Sequence, residues 1–303
     1  MAANITRSQL YAGVQALRCE QWIKNLFVFA PPMFGRQLLV PEQLSGAALT
    51  FVAFCLASSS TYIINDFVDI ERDRAHPVKK DRPLASGRLS VGFAAMLGIV
   101  CALLALVISG VLVSKAVAGV IAAYVVANVA YSLVLKHVVI LDVMFIAVGF
   151  ILRILAGAVA TAVQPSHWLL LCTLNVSLFL GFAKRRSEIV VLQDKAGDHR
   201  EVLEHYSTAF IDQMVAIVTG ATLVCYILYS VDEATVARFG TDQLILTVPF
   251  VMYGLFRYLY LSYHHTHGVN PAKTMLGDVS FLVNLALWGI TCLYVIYWAR
   301  EMP

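Results

Sequence analysis

The chain has 303 residues, of which 59% are apolar and only 14% carry a formal charge. An average soluble chain holds about 45–50% apolar and about 25% charged residues, and the mean hydropathy here is +0.76. This composition excludes a soluble globular enzyme, which could not bury so much apolar surface. It also excludes intrinsic disorder, which requires a polar and highly charged chain. The net charge of +3 gives no reason to expect a nucleic-acid partner.

Apolar stretches of about 20 residues, the length that crosses a bilayer core, recur along the sequence. They predict an all-α integral membrane protein, because strands of a membrane barrel would alternate in segments of about 10 residues. Nine transmembrane helices are expected, near residues 22–40, 45–64, 91–111, 116–135, 139–162, 167–183, 211–230, 244–262 and 279–298. The first is the weakest, since Lys24, Pro31 and Pro32 interrupt it. One polytopic membrane domain, 1–303, is expected to account for the whole chain.

Basic residues are distributed unevenly between the predicted loops. Most Lys and Arg residues lie before the first span or in the loops at 65–90 and 184–205, and few lie in the connections on the opposite side. Because cytoplasmic loops carry an excess of Lys and Arg, the N-terminus is expected in the cytoplasm, in a bacterial inner membrane. Most acidic residues lie in the same two loops. The chemistry is therefore expected at the cytoplasmic surface of the bilayer.

The second predicted span ends in a run of side chains that carry oxygen ligands: Asn65, Asp66, Asp69 and Asp73. If the helix continues beyond the span, Asn65, Asp69 and Asp73 share one face, with Asp66 beside them. Such oxygens suit Mg²⁺, which typically takes one or two carboxylates together with substrate phosphates. The motif therefore predicts a magnesium site. The alternative interpretation is a solvated helix end.

Basic residues follow the acidic run directly, in the segment from His76 to Pro83. A metal-bound diphosphate needs both signs of charge, because Mg²⁺ bridges some of its oxygens and Lys or Arg neutralises the others. Lys79 and Arg82 are therefore predicted to bind substrate. Attraction to anionic lipid head groups is the alternative, and it could hold for Lys80.

These features resemble the UbiA superfamily of intramembrane prenyltransferases. The resemblance covers nearly the whole chain, and its strongest mark is the acidic motif after the second span. Further matches are Tyr131-Ser132-x-x-Leu135-Lys136 and Arg153-x-x-Ala156-Gly157. The resemblance implies a UbiA-like bundle around a cavity that faces the cytoplasm, in which the acidic motif binds Mg²⁺ and the diphosphate of the donor.

The resemblance and the charge pattern together give one set of candidate site residues. Catalytic roles are expected for Asp66, Asp69 and Asp73, and metal ligation for Asn65, Asp69 and Asp73. Substrate contacts are expected from the polar groups around them: Lys24, Tyr62, Lys79, Arg82, Lys136 and Arg153. The alternative for Tyr62 is packing. The alternative for Arg153 is a structural hydrogen-bond anchor, since a cation within a span must face the protein interior.

The second charged loop departs from the superfamily pattern. Most members carry another Asp-rich motif between spans six and seven, which holds a second Mg²⁺. This chain instead has Lys184-Arg185-Arg186-Ser187-Glu188, and Asp194 and Asp198 follow at a different spacing. Cations in place of carboxylates convert a metal site into a site for another anion, for which phosphate is the expected identity. A positive-inside anchor is the alternative.

This departure resembles one branch of the superfamily, the decaprenyl-phosphate phosphoribosyltransferases of arabinan-precursor synthesis for the cell wall. That branch combines the acidic motif and His-Pro-x-Lys-x-x-Arg-Pro with Lys-Arg-x-x-Glu after span six, and the segment Gln21-Trp22-x-Lys24-Asn25 is also similar. The resemblance implies that Lys184, Arg185 and Glu188 bind substrate. It further implies 5-phosphoribosyl 1-diphosphate as donor, a polyprenyl phosphate as acceptor and Mg²⁺ as cofactor.

Two other functions stay open at this point. An aromatic prenyltransferase with a polyprenyl diphosphate donor also breaks a carbon–oxygen bond to diphosphate, but it predicts the second Asp-rich motif. A transporter belongs to another class, and it would need charges along several spans or broken half-helices. The length of the polyprenyl chain and a homo-oligomeric state do not follow from the sequence.

Overall fold

A computed structural model describes residues 7–192, 201–264, 275 and 277–299 of the chain. The regular elements in these ranges are helical. The α-helices are α1 (Arg7–Leu17), α2 (Ala30–Phe34), α3 (Pro41–Val68), α4 (Ile70–Ala75), α5 (Val91–Val107), α6 (Lys115–Leu133), α7 (Leu141–Ala160), α8 (His167–Leu192), α9 (Thr208–Val231), α10 (Glu233–Phe239), α11 (Val248–His264) and α12 (Val279–Tyr297). A π-helical segment, Ile108–Val113, continues α5, and 3₁₀ segments lie at Cys19–Phe29, Lys79–Asp81, Leu135–His137, Glu201–His205 and Gln243–Thr247.

Eight helical stretches within the described ranges are long and apolar enough to cross a membrane. They are α3, α5 with its π extension, α6, α7, α8, α9, α11 with the turn before it, and α12. These stretches correspond to eight of the nine predicted spans and confirm the all-α membrane fold. In α3 the helix begins at Pro41, a position where the missing N–H of proline removes no helical hydrogen bond.

The stretch predicted as the first span, 22–40, is not one continuous helix. The 3₁₀ segment Cys19–Phe29 runs into the five-residue α2, whose first turn holds Pro31 and Pro32. Proline is tolerated in a first turn but breaks a helix interior, so the α-helix cannot extend back through this pair. The described part of the chain therefore contains eight continuous spanning helices rather than nine.

The helices group into two compact units, the first containing α1 to α7 and the second α8 to α12. In the first unit the segment Cys19–Phe29 packs against α3 and α7. Gly157 permits the close approach, because a Cβ atom there would lie 2.0 Å from the carbonyl oxygen of Val28. Val28 thereby enters a core with Phe54 and Tyr124. The single domain expected over residues 1–303 is not tested by this division into two units and stays a prediction.

In the second unit α8 packs along α9, and α12 packs against α11. A polar network joins α9, the 3₁₀ turn before α11 and α12: the Tyr226 hydroxyl lies 2.8 Å from Thr247 Oγ1 and accepts a hydrogen bond from Trp288 Nε1 at 3.0 Å. Pairing of this kind is required because a buried polar group without a partner loses the hydrogen bonds that it would make to water.

Candidate active site

The acidic motif lies where α3 passes into α4. Asp69 separates the two helices, yet its N–H donates to the carbonyl of Asn65 at 3.0 Å and its carbonyl accepts from the N–H of Asp73 at 2.8 Å. Hydrogen bonds from each residue to the one four positions earlier therefore continue across the junction. Asn65, Asp69 and Asp73 consequently keep helical spacing.

Two arginines converge on the carboxylates of Asp66 and Asp73. Nη1 of Arg82 donates to Asp66 Oδ1 at 3.0 Å and to Asp73 Oδ2 at 2.6 Å, and Nη2 of Arg18 forms an ion pair with the same oxygen of Asp66. Both carboxylates are buried, and buried charges require such partners. Burial raises the pKa of Asp73 above its ordinary value, while Arg82 and Lys79 act to lower this pKa. A further cation near Asp73 would therefore favour its charged form.

Asn65 and Asp69 contact the end of α6 instead. The hydroxyl of Ser132 donates to Asn65 Oδ1 at 3.2 Å, and Nζ of Lys136 donates to Asp69 Oδ1 at 2.5 Å. Lys136 lies in the 3₁₀ turn after α6 and is buried. The motif Tyr131-Ser132-x-x-Leu135-Lys136 thus supplies two side chains that bond the acidic motif.

The basic segment after α4 returns the chain to the same cluster. The buried His76 shapes this turn, because its Nδ1 accepts the backbone N–H groups of Val78 and Lys79 at 3.0 and 3.2 Å. Arg82 contacts the acidic motif directly, Lys79 acts on Asp73 electrostatically, and Lys80 is exposed. Of the three cations of this segment, Arg82 therefore bonds the carboxylates, Lys79 affects that of Asp73 through its charge, and Lys80 faces solvent.

Arg153 is buried on α7 and is bonded through each of its nitrogens. Nε donates to Asn25 Oδ1 at 2.7 Å, Nη1 to the Gly149 carbonyl at 2.7 Å and Nη2 to the Tyr124 hydroxyl at 3.0 Å. Three aromatic rings also lie 4.8–5.6 Å from the guanidinium carbon: Phe54, Tyr124 and Phe150. Such rings attract a cation through their electron-rich faces. These contacts favour the structural anchor for Arg153 over a phosphate ligand.

Lys24 and Tyr62 each interact electrostatically with both Arg153 and Arg18. Lys24 is half-buried. Tyr62 lies one turn before Asp66 on α3, and the Arg18 guanidinium stands 5.1 Å from the centre of its ring. Sequence reasoning missed Arg18 as a site residue and treated it only as one of the basic residues before the first span. No local pattern could have revealed it, because its partner Asp66 is 48 positions away.

The donor atoms of the acidic motif suit Mg²⁺, since they are amide and carboxylate oxygens. Among the described residues, however, no group of three or more His, Cys, Asp or Glu side chains is placed to hold a metal ion. The carboxylates of Asp66, Asp69 and Asp73 are each bonded to Arg or Lys. This arrangement fits a magnesium ion that arrives with phosphate oxygens as part of its coordination shell.

The basic run of the second unit lies toward the end of α8. Arg185 is completely buried, and its Nη1 forms an ion pair with Glu188 one turn later on the same helix. Lys184 beside it is half-buried. Lys184, Arg185 and Glu188 are therefore close together on α8. The ion-pair partner of Arg185 described above, Glu188, lies on the same helix. Asp194 and Asp198 lie outside the described residues.

Arg186, the third cation of the run, contacts two other helices. Its Nε donates to Asp212 Oδ1 on α9 at 2.6 Å, and its guanidinium lies 3.7 Å from the ring centre of Tyr263 on α11. The Tyr263 hydroxyl donates to the same Asp212 oxygen at 2.8 Å. Arg186 thus connects three helices of the second unit.

A comparison with protein families matches residues 29–288 to the UbiA prenyltransferase family. This chain belongs to that family. A solved UbiA homologue from Archaeoglobus fulgidus, described as bound to GPP and Mg²⁺, aligns with a TM-score of 0.71 at 16% identity. The alignment covers 94% of this chain and 99% of the homologue, and at that identity it shows the shared fold alone.

Among relatives of this UbiA-family chain are proteins named decaprenyl-phosphate phosphoribosyltransferase. The one from Mycolicibacterium smegmatis is 37% identical over 221 residues, which are 72% of this chain and 69% of the relative. The one from Corynebacterium glutamicum is 31% identical over 293 residues, which are 94% of this chain and 86% of the relative. The resemblance to the superfamily is confirmed, and the protein is a membrane transferase with the UbiA fold.

Proposed function

We propose that this enzyme transfers 5-phosphoribose from 5-phosphoribosyl 1-diphosphate to a polyprenyl phosphate of the decaprenyl type, releasing diphosphate. The observation that carries the proposal is the run Lys184-Arg185-Arg186 on α8, at the place where most superfamily members have carboxylates for a second metal. The relatives named decaprenyl-phosphate phosphoribosyltransferase support it over most of the chain. Both substrates carry a phosphate monoester, and additional cations suit such groups better than a second divalent metal site does.

The first unit would bind the diphosphate of the donor. Asn65, Asp69 and Asp73 are the proposed ligands of Mg²⁺, which when bound supplies Lewis-acid stabilisation of the leaving diphosphate. Lys136 and Arg82 already bond these carboxylates, so they stand where diphosphate oxygens outside the metal shell can be neutralised. Lys79, Asp66 and Tyr62 complete this part of the proposed site. Asp66 acts there by holding Arg82.

The transfer exchanges one carbon–oxygen bond for another at C1 of the ribose. The bond from C1 to the diphosphate breaks, and its electron pair leaves with the diphosphate. An oxygen of the polyprenyl phosphate forms the new bond to C1. The acceptor phosphate is ionised near neutral pH, so no side chain is needed as a general base. Lys24, Lys184 and Arg185, the last held by Glu188, are the proposed cations for the remaining phosphate groups.

The reaction is proposed to take place at the cytoplasmic face of a bacterial inner membrane. The loops at 65–90 and 184–205 hold most of the basic residues, which favours a cytoplasmic location for them and for the N-terminus. The polyprenyl chain of the acceptor would remain in the bilayer. The product would then serve as a precursor of cell-wall arabinan.

An aromatic prenyltransferase is the alternative function, because the acidic motif would equally bind a polyprenyl diphosphate. The test supplies purified enzyme in lipid nanodiscs with Mg²⁺ and either of two substrate pairs. The first is radiolabelled 5-phosphoribosyl 1-diphosphate with decaprenyl phosphate, and the second is decaprenyl diphosphate with 4-hydroxybenzoate. We expect labelled lipid from the first pair, loss of the product on chelation of Mg²⁺, and no product from the second pair. Product from the second pair alone would refute the proposal.

A further inference from the structure

Three cations lie in or next to the segment Cys19–Phe29 of the first unit: Arg18 precedes it, Lys24 belongs to it, and Arg153 bonds its Asn25. Lys24 interacts electrostatically with both arginines. The carboxylate that bonds this group is Asp66, which Arg18 shares with Arg82, while the nearby Glu20 is exposed to solvent. An excess of positive charge therefore lies beside the acidic motif, and inside a protein such an excess is favourable only next to an anion.

Arg18 presents unused hydrogen-bond donors at this place. Its Nη2 pairs with Asp66, whereas its Nε and Nη1 have no hydrogen-bond partner among the described residues. The side chain is 19% exposed, so a ligand can reach it, and the ring of Tyr62 lies against the guanidinium. The backbone of Arg18 has φ 51° and ψ 52°, a left-handed conformation that is uncommon for residues other than glycine.

The strained backbone of Arg18 is held by its surroundings. The preceding carbonyl, that of Leu17, accepts a hydrogen bond from Ser59 Oγ at 2.8 Å, and the Trp22 indole N–H donates to the same hydroxyl at 3.0 Å. Strain of this kind persists where neighbouring contacts fix the conformation, and it often occurs at functional sites. Both ends of the turn are thus attached to α3 next to Tyr62 and Asp66.

The residue that follows Lys24 is held by α3 and α7. Asn25, the next residue, accepts from Arg153 Nε and donates to Ser58 Oγ at 3.3 Å. The structure gives the Lys24 ammonium neither an ion pair nor a hydrogen bond within residues 7–192 and 201–264. A half-buried ammonium beside a buried guanidinium is repelled by it, and an anionic ligand would remove that repulsion.

We propose that Arg18 and Lys24 form a subsite for a phosphate monoester, adjacent to the acidic motif but distinct from its diphosphate-binding groups. Arg153 is a positioning residue in this subsite, since it holds Asn25 and so the segment that carries Lys24. The substrate assignment rests on the proposed function: the 5-phosphate of the donor and the phosphate of the acceptor are both monoesters. A polyprenyl diphosphate donor has no such group.

Two probes separate the subsite from the acidic motif. Ribose 5-phosphate has a phosphate monoester but no diphosphate, whereas inorganic diphosphate has the diphosphate but no monoester. We expect Arg18→Gln and Lys24→Gln each to weaken ribose 5-phosphate binding about 10- to 100-fold, the effect of losing one charge-assisted hydrogen bond, with diphosphate binding nearly unchanged. Lys80→Gln is the matched control, because Lys80 is an exposed cation of the neighbouring loop. Calorimetric titration of the purified protein with each probe measures both affinities.

Charge-retaining variants show whether weaker binding comes from the loss of a cation or from unfolding of the protein. Lys24→Arg and Arg18→Lys should retain most of the ribose 5-phosphate affinity, whereas Lys24→Met and Arg18→Met should not. Three results would each overturn the subsite. The first is equal ribose 5-phosphate affinity of the charge-retaining variant and the Met variant at the same position. The others are an equal loss of affinity for both probes in the Gln variants, and no binding of ribose 5-phosphate to the wild-type enzyme.

Steady-state kinetics identifies the source of the monoester. In Lys24→Gln, a higher KM for the phosphoribosyl donor assigns the subsite to the donor, and a higher KM for polyprenyl phosphate assigns it to the acceptor. Unchanged values for both substrates would contradict the inference. If the wild-type enzyme forms no phosphoribosyl lipid but binds ribose 5-phosphate in the selective way described, the proposed reaction is refuted and the subsite stands.

Discussion

The ion pairs of the acidic motif and the Arg185–Glu188 pair on α8 differ in how far apart their partners lie along the chain. In the acidic motif two ion pairs join distant segments, those of Asp66 with Arg18 and of Asp69 with Lys136. In the second unit Arg185 pairs with Glu188 one turn away on the same helix. A local pair forms wherever the helix forms, but a long-range pair requires several segments to be ordered together. The comparison indicates that the acidic motif is a site assembled by the fold, whereas the Arg185–Glu188 pair needs only its own helix to form.

The largest expected effect follows from Asp69→Asn, which keeps the shape of the side chain and removes its charge. The variant loses a proposed Mg²⁺ ligand and the ion pair between Asp69 and the buried Lys136. We expect the rate of phosphoribosyl transfer to fall by about three powers of ten, as when a group that stabilises the transition state is removed. Initial rates at saturating Mg²⁺ measure the loss, and a thermal unfolding midpoint shows whether the variant is folded.

Glu71→Gln provides the matched control for Asp69. Glu71 lies two residues later, is largely exposed and pairs with Arg74 on the same short helix. Exposed pairs of this kind contribute little to stability, so the control should retain wild-type rates. Normal turnover of Asp69→Asn at saturating Mg²⁺ would show that the acidic motif does not hold the metal.

The second effect concerns the stability of α8. Arg185→Met removes the ion pair that Arg185 makes with the buried Glu188, which we expect to destabilise the protein by about 3 kcal/mol. The double variant Arg185→Met/Glu188→Met should recover most of this loss, since apolar side chains of similar size replace a buried ion pair at little cost. Unfolding midpoints in detergent measure both changes.

Lys184→Met is the companion variant, because Lys184 is a half-buried neighbour on the same helix. It should raise the KM for one substrate about tenfold, the lower end of the effect of one charge-assisted contact. An unchanged midpoint for Arg185→Met would show that the ion pair does not stabilise the protein, and unchanged KM values for Lys184→Met would show that Lys184 binds neither substrate.

The smallest effect tests how the segment carrying Lys24 is attached. A Cβ atom at Gly157 would lie 2.0 Å from the Val28 carbonyl oxygen, whereas one at Gly119 would meet nothing within 4 Å. We expect Gly157→Ala to destabilise the protein by about 2 kcal/mol, in the range of overpacked cores, and Gly119→Ala to cause no loss. Equal unfolding midpoints for the two variants would show that the segment does not depend on this close approach.

Most of the fold could be predicted from the sequence because bilayer crossing requires long apolar runs, and eight of these runs are continuous helices. The proline pair indicated that the first predicted span is weak. The sequence did not predict the 3₁₀ segment Cys19–Phe29, which packs against α3 and α7. The spacing of Asn65, Asp69 and Asp73 on one face follows from local helical periodicity. The pairs of Arg18 with Asp66 and of Lys136 with Asp69 join residues 48 and 67 positions apart, and only the folded chain brings them together.

The most direct test of the central claim follows one oxygen atom through the reaction. The donor is 5-phosphoribosyl 1-diphosphate labelled with ¹⁸O in the bridge between C1 and the diphosphate, and the acceptor is decaprenyl phosphate. Cleavage of the carbon–oxygen bond beside the acidic motif predicts that mass spectrometry finds the label in the released diphosphate and none in the phosphoribosyl lipid. Label in the lipid product would show cleavage at phosphorus instead, and the absence of a phosphoribosyl lipid would contradict the proposed transfer.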